Sequence, residues 1–149
     1  MKLIREYINE KFTDESDPIK DLGIGVRHKI EEWLNKMHIE KYTINDDLTI
    51  DVYSSVNLEH YAVPDIKKLP AYIKFNIVNG DFIVPANFSS MKGFPQLITG
   101  DFGCFWNDIK SLKYMPKSIG GSCHMGNFSK EEILKVCAVS PHCIYTRIK

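Results

Sequence analysis

A short motif recurs three times between residues 69 and 127, and it restricts the chain to folds built from stacked coils. The copies read LPAYIKFNIVNGDFIVPAN (69–87), FPQLITGDFGCFWN (94–107) and MPKSIGGSCHMGN (115–127). The second and third copies are offset by 21 residues, whereas the first carries five extra residues between its proline and its glycine. Periods in the twenties are typical of solenoids, in which each repeat forms one coil. We therefore expect a solenoid.

The residue types within each copy have a physical reason. A strand of three or four residues buries two alternating side chains only when another coil stacks on it. The proline that opens each copy favours an extended return segment, and the glycine permits a sharp corner. A closing asparagine can hydrogen-bond to the turn backbone. The alternating pairs are Phe82 and Val84, Phe102 and Cys104, and Cys123 and Met125, and the asparagines are Asn87, Asn107 and Asn127.

The N-terminal region has helical rather than strand periodicity. The segment MKLIREYINEKF (1–12) carries an apolar stripe, and a second stripe runs through Val26, Ile30 and Met37, which predicts two amphipathic helices. Such stripes usually pack on a core, and a partner-binding face is the alternative. Pro18 and the glycines of TDESDPIKDLGIG (13–25) predict a loop between the helices. The Gly-x-Gly in this segment lacks a third glycine and a preceding strand, so it does not indicate dinucleotide binding.

The flanks of the repeat carry their own signals. The segment YTINDDLTIDV (42–52) alternates around an Asn-Asp-Asp turn, which predicts a hairpin or a strand entering a sheet. Ser129 and Glu132 form a capping-box pattern that predicts a helix over about 130–137. The final CIYTRIK predicts a short strand. We therefore divide the chain into an N-terminal helical cap (1–41), a β-solenoid (42–128) and a C-terminal capping helix and strand (129–149).

One stretch of the repeat matches a known spacing. Residues 102–112 fit the leucine-rich-repeat core L-x-L-x-x-N-x-L-x-x-L through Phe102, Cys104, Asn107, Ile109 and Leu112. The chain resembles the short leucine-rich-repeat-like proteins of bacteriophage and prophage genomes, whose repeats are of the type GDFxCxxNxLxSLxxxPxxI. That resemblance implies an α+β fold in which N-terminal helices cap a short leucine-rich-repeat-like solenoid sheet, closed by a C-terminal helix. It also implies an accessory role in infected or lysogenic bacteria.

Composition argues against several classes of partner. Lysine plus arginine, 19 in all, equal aspartate plus glutamate, also 19, so no net field attracts nucleic acid or anionic lipid. No apolar run approaches the roughly 20 residues that cross a bilayer. Charged residues in the first 12 positions interrupt the apolar centre of a secretion signal, so we expect a cytoplasmic protein. In that compartment reduced thiols are expected at Cys104, Cys123, Cys137 and Cys143.

A metal- or thiol-dependent enzyme is the alternative function, with Cys137, His142 and Cys143 as its candidate residues. No Cys-x-x-Cys pair is present, and standard zinc spacings are missing. Cys123 and His124 are adjacent in a predicted strand and so point to opposite faces, which does not suit a nucleophile and its base. We therefore expect no enzyme, no cofactor and no metal site, and the zinc content of the purified protein distinguishes the two hypotheses.

Exposed aromatic residues are better functional candidates than the cysteines and histidines of the preceding hypothesis. Phe105 and Trp106 follow the second copy's strand, Tyr114 lies in the next return segment, and His124 should face outwards. Tryptophan and tyrosine are enriched in binding hot spots. We expect a non-enzymatic protein-interaction module that presents these four residues to a bacterial host protein, such as a defence enzyme, or to a virion component. Three lysines lie in the loop around Tyr114, namely Lys110, Lys113 and Lys117. Loop lysines of this kind are typical of solvated surface, so nucleic acid is not expected as the partner.

Overall fold

The computed structural model describes residues 18–59, 67–104 and 108–147, and these form a β-solenoid of about four turns with few helices. Each coil contributes one short strand to each of two sheets, and the apolar core lies between the sheets. The first sheet has the order β1-β2-β4-β6-β8, and the second has the order β10-β9-β7-β5-β3. The strands are β1 (Tyr42–Ile44), β2 (Ile50–Val52), β3 (Val56–Asn57), β4 (Phe75–Val78), β5 (Phe82–Ile83), β6 (Leu97–Ile98), β7 (Phe102–Cys104), β8 (Ser118–Ile119), β9 (Cys123–Gly126) and β10 (Ile144–Arg147).

The alternating apolar pairs of the repeat lie in register in the second sheet. Phe82 pairs with Phe102, and Phe102 pairs with Cys123, in parallel orientation. All three side chains are fully buried, and the rings of Phe82 and Phe102 stack with centroids 6.4 Å apart. The prediction that successive repeats share one apolar stack is therefore confirmed.

The first sheet runs along the other side of the same apolar stack. Val78, Ile98 and Ile119 precede the corner glycines, and they pair in parallel as buried members of β4, β6 and β8. The repeat pattern predicts one alternating strand per coil and gives no sign of a strand at these three positions. Because a corner of about three residues separates two extended segments, each coil instead forms two short strands that enclose the core from both sides.

The stack also extends beyond the three repeat copies at both ends. On the N-terminal side, Val56 of β3 pairs with Phe82. On the C-terminal side, Ile144 of β10 pairs with Cys123, and Ala138 forms an isolated parallel bridge with Ser118. The chain therefore continues the coil geometry where its sequence no longer shows the repeat.

The corner between the two sheets is held by what we call the corner ladder, formed by Ser55, Asp81, Asp101 and Ser122. The backbone N–H of Asp81 donates to Ser55 Oγ at 2.9 Å, and that of Asp101 donates to Asp81 Oδ1 at 2.8 Å. The N–H of Ser122 donates to Asp101 Oδ1, also at 2.8 Å. Each aspartate thus accepts a hydrogen bond from the next coil, which gives both carboxylates a structural role.

Glycine at the corner is required by this ladder. A Cβ built on Gly100 would overlap Asp81 Oδ1, and one built on Gly121 would overlap Asp101 Oδ1. The same Cβ positions lie 2.8 Å from the backbone oxygens of Gly80 and Gly100, respectively. The Gly-Asp pair therefore acts as a unit, because the aspartate of one coil occupies the space that a side chain of the next coil would need.

The N-terminal hairpin is confirmed. β1 pairs antiparallel with β2, with Tyr42 opposite Val52 and Ile44 opposite Ile50. The turn places Leu48 in the left-handed region at φ 69°, and Leu48 N–H donates to the Asn45 carbonyl at 2.8 Å. The hairpin therefore adds an antiparallel strand to the otherwise parallel first sheet.

Helix α1 is longer than its apolar stripe indicated. It spans Pro18–Lys36, so the loop predicted over residues 13–25 is wrong for its described part, and the Gly-x-Gly at residues 23–25 lies inside the helix. Proline is tolerated in the first turn because its missing N–H has no helical acceptor there. Ile30 and Met37 are buried in the core as expected, together with Trp33 and Leu34, and Val26 is partly buried against it. The helix predicted over residues 1–12 lies outside the described residues.

The C-terminal segment follows its sequence signals closely. Helix α2 (Lys130–Leu134) has the complete capping box, with Glu132 N–H donating to Ser129 Oγ at 3.2 Å and Ser129 N–H donating to Glu132 Oε1 at 2.9 Å. The helix ends three residues earlier than residue 137, and a 3-10 helix (Pro141–Cys143) follows. The predicted final strand is confirmed as β10, which pairs parallel with β9.

Candidate functional site

The four residues that the sequence singled out do not form one described cluster. Phe105 and Trp106 lie outside the described residues. Tyr114 is in the turn that leads into β8, whereas His124 is in β9 of the second sheet. The structure therefore separates the two described candidates into two places: the outer face of the second sheet and a cleft beside the return segments.

An aromatic stack marks the outer face of the second sheet. His124 of β9 and Tyr145 of β10 are register partners, and their rings are nearly parallel, with centroids 4.9 Å apart and an interplanar angle of 14°. His124 faces outwards because its neighbours Cys123 and Met125 are fully buried. Tyr145 keeps 49% of its surface exposed. The stack is therefore a solvent-facing aromatic feature held by two paired strands.

Tyr145 was missed by the sequence analysis although a signal for it exists. Cys123-His124 and Ile144-Tyr145 have the same inward–outward alternation and are 21 residues apart, which is the repeat period. The outward positions of the second sheet form one row, which we call the outer row, and it runs along the solenoid through the registered partners Asn57, Ile83, Gly103, His124 and Tyr145.

The side chains of the outer row change along the solenoid. Gly103 contributes no side chain, and a Cβ there would lie 2.7 Å from Ile83 Cδ1, so the isoleucine covers this position. His124 and Tyr145 then follow as the aromatic end of the row. A surface of this kind offers a flat apolar patch with a polar tyrosine hydroxyl and an imidazole, which are groups that suit a protein partner.

Tyr114 has an unusual backbone conformation. Its φ is +70°, and Gly93, the residue 21 positions earlier, has φ +89° in the equivalent turn of the preceding coil. Both turns are closed in the same way, since Lys92 N–H donates to Ser90 Oγ and Lys113 N–H donates to Ser111 Oγ, each at 3.1 Å. The turn therefore requires a left-handed residue, and at Tyr114 a bulky side chain takes the position that glycine fills one coil before.

Tyr114 lines a cleft of about 420 Å³ on the return side of the solenoid. The ammonium of Lys113 lies 5.2 Å from the centre of the Tyr114 ring, which places a cation at this wall. Leu69, Ile73 and Phe94 supply buried apolar surface to the lining. The cleft thus combines an apolar floor, an exposed aromatic wall and nearby positive charge.

Cys104 and Cys123 occupy core positions, as the repeat indicated. Cys104, Cys123 and Cys137 are buried, and Cys143 is half-buried. Burial raises the pKa of the Cys123 thiol to about 12 and that of Cys137 to about 11, and it raises the pKa of Cys104 further. A smaller contribution comes from the neighbouring thiol, Cys137 for Cys123 and Cys123 for Cys104. Thiolates, which metal binding and nucleophilic attack require, are therefore disfavoured at these three positions.

The described residues hold neither a metal-binding cluster nor a membrane-spanning helix. Within residues 18–59, 67–104 and 108–147, no group of three or more histidine, cysteine, aspartate or glutamate side chains is arranged to hold a metal ion. In the same part of the chain, none of the helices has the length and apolar character that crossing a bilayer would need.

Comparison with known proteins gives no relative: no family model, curated protein or solved structure matches the chain. The outer row and the cleft are therefore the features from which a function is proposed.

Proposed function

We propose that this chain is a non-enzymatic protein-interaction module whose docking surface is the outer row of the second sheet. The observation that carries the proposal is the His124–Tyr145 stack, with its ring centroids 4.9 Å apart and Tyr145 49% exposed. Aromatic side chains that are held rigid before binding lose little conformational entropy on association, so they are effective anchors for a partner.

The position of β10 supports the same surface. β10 is the last strand in the order of the second sheet, next to β9. A terminal strand can accept a further strand from a partner through main-chain hydrogen bonds, and the adjacent side chains then supply specificity. Tyr145 lies on this strand, so one partner segment could pair with β10 and contact the aromatic stack.

The resemblance to phage leucine-rich-repeat-like proteins supports a bacterial setting for the partner. We propose a phage accessory protein that acts in the host cytoplasm, where it binds a host protein, such as a defence enzyme, or a virion component. Trp106 and Phe105, which follow β7 in the chain, would extend the same surface. The N-terminal helices and helix α2 would cover the two ends of the solenoid. The outer row along its side would then be the surface that is left for a partner.

The test compares two tyrosines of similar exposure, one in the second sheet and one beside the first sheet. Tyr145 is 49% exposed, and Tyr53, which follows β2 of the first sheet, is 52% exposed. The tagged chain is used to capture partners from a bacterial lysate, and each protein that it retains is purified and measured for affinity. Tyr145→Ala and His124→Ala should weaken that affinity by about tenfold or more, since anchor residues contribute at least about 1.4 kcal/mol.

Tyr53→Ala should leave the affinity within about twofold of the parent. Equal loss in Tyr53→Ala and Tyr145→Ala would show that the outer row is not the docking surface. A Trp106→Ala variant that still captures every partner at full affinity would remove Trp106 from the proposed surface. Stoichiometric zinc in the purified protein would instead favour the enzyme built on Cys137, His142 and Cys143.

A further inference from the structure

The cleft beside the return segments is separate from the outer row and is built from four successive coils. Its lining comes from the turn before β2, from the return segments that lead into β4 and β6, and from Tyr114 in the next return. Its volume of about 420 Å³ is within the range of small-molecule sites, about 300–1,000 Å³. The size therefore suits a small organic ligand rather than a folded partner.

The charged residues that line the cleft are all lysines. Lys68, Lys74 and Lys92 are among its lining residues, which include no aspartate or glutamate. Lys113 adds a fourth cation at the wall through its position over the Tyr114 ring. Asp47 is near enough to Lys74 for the two charges to interact, and hydrogen bonds from the Thr49 hydroxyl and backbone N–H lower the pKa of its carboxyl, so it offsets one of the four cations. The surplus of positive charge therefore favours an anionic ligand.

The floor and wall are apolar and aromatic. Leu69, Ile73, Phe75 and Phe94 are all at most 3% exposed and lie in the lining. Tyr114, by contrast, is 45% exposed and is held at φ +70°, a conformation that is costly for a residue other than glycine. Strained residues of this kind cluster at ligand sites. The ring thus presents an aromatic surface at the mouth of an apolar cleft.

We propose that this cleft binds a small organic anion with a flat apolar body, such as an aromatic carboxylate or sulfonate. The apolar body lies on the floor and against the Tyr114 ring, and the anionic group lies towards Lys68 and Lys92. This site is separate from the outer row, so the tests of ligand binding and of the proposed protein-interaction function have independent outcomes.

The experiment uses two fluorescent probes of similar shape on the full chain. One is 8-anilinonaphthalene-1-sulfonate, which is anionic, and the other is N-phenyl-1-naphthylamine, which is neutral. We expect saturable one-to-one binding of the anionic probe and at least fivefold weaker binding of the neutral one. Lys92→Gln should weaken the anionic probe by about fivefold, as expected for one partly solvated charge pair worth about 1 kcal/mol. Lys130→Gln, on helix α2 away from the cleft, is the matched control and should not change binding.

A second pair of variants locates the site. Ala71 lines the cleft and is exposed, so Ala71→Trp should fill the cleft and abolish binding without changing the thermal midpoint. Ala86 is also exposed but is not in the lining, and Ala86→Trp should bind normally. Unchanged binding in Ala71→Trp, or loss in both tryptophan variants, would overturn the site. Equal affinity for the two probes would overturn the anionic class of ligand.

Discussion

The corner ladder makes a prediction that can be worked through quantitatively. In Gly100→Ala the new methyl group would overlap Asp81 Oδ1 and lie 2.8 Å from the carbonyl carbon and oxygen of Gly80. Overpacking at a tight site costs about 1–3 kcal/mol. Displacing the Asp81 carboxylate also loses its hydrogen bond from Asp101 N–H, which adds about 1 kcal/mol. We therefore expect Gly100→Ala to lower the free energy of unfolding by about 2–4 kcal/mol.

Urea unfolding followed by circular dichroism measures this change, with an unchanged m-value showing that only stability is affected. For a chain of this size the loss corresponds to a fall in thermal midpoint of about 6–12 °C. Gly25→Ala is the matched control, because Gly25 lies in helix α1 with nothing within 4 Å of a new Cβ. Alanine is the better helix former, so this control should stabilise the protein by about 0.8–1 kcal/mol.

The clash between the new methyl group and Asp81 is tested by a double-mutant cycle. Asp81→Ala removes the carboxylate that the methyl group of Gly100→Ala would strike, although the contact with the Gly80 backbone remains. The two substitutions should therefore be less than additive, by about 1 kcal/mol. A cost below about 0.5 kcal/mol for Gly100→Ala, within the range of an ordinary surface change, would refute the reasoning, as would full additivity.

Four further predictions follow from other features. Ser129→Ala removes the capping box of helix α2 and should lower the unfolding free energy by about 1 kcal/mol in chemical denaturation, whereas Ser129→Asp should retain most of it. Tyr114→Val, a β-branched residue at φ +70°, should cost about 1–2 kcal/mol, whereas Tyr114→Asn should stay near the parent, as judged by thermal midpoints. Iodoacetamide should alkylate Cys143 in the native protein, and the three buried cysteines only after unfolding, as read by mass spectrometry. Raising the pH above 9, the ordinary thiol pKa, should lower the free energy of unfolding progressively towards pH 11–12. Burial raises the pKa of Cys137 and Cys123, so unfolding in this pH range releases protons, with a slope of at most about 1.4 kcal/mol per pH unit per thiol. A Cys137→Ala variant should show a shallower decline of the unfolding free energy with pH.

Much of the second sheet was predictable because its side chains alternate. Phe82, Phe102 and Cys123 each stand two residues after a corner glycine, so their register followed from the repeat alone. The first sheet was harder to foresee. Its inward residue in each copy is a single isoleucine or valine next to a corner glycine, and one apolar residue carries no period that distinguishes a strand from a turn.

The C-terminal coil was hidden for a related reason. In the preceding coil the paired positions Ser118 and Cys123 are five residues apart, whereas their partners Ala138 and Ile144 are six apart, with the 3-10 helix Pro141–Cys143 between them. The extra residue and the missing glycine remove the motif while the backbone pairing persists. Tyr145 could have been found only by ignoring residue type and keeping the 21-residue offset.

The cleft could not have been predicted from local sequence. Lys68, Lys92 and Tyr114 belong to three different returns, and what brings them together is the stacking of coils rather than any spacing within one motif. The left-handed turn at Tyr114 was equally obscure, because a tyrosine gives no sign of positive φ. Its alignment with Gly93 at the 21-residue offset was the available signal.

The corner ladder also bears on how such a chain can change in length. Asp101 donates its N–H to the coil before it and accepts from the coil after it, so one coil is complementary to a copy of itself. An in-frame duplication of a single 21-residue unit would therefore find its hydrogen-bond partners ready-made on both sides. Each added unit would add one more outward position to the outer row. Gene duplication could therefore change the length of this surface one coil at a time.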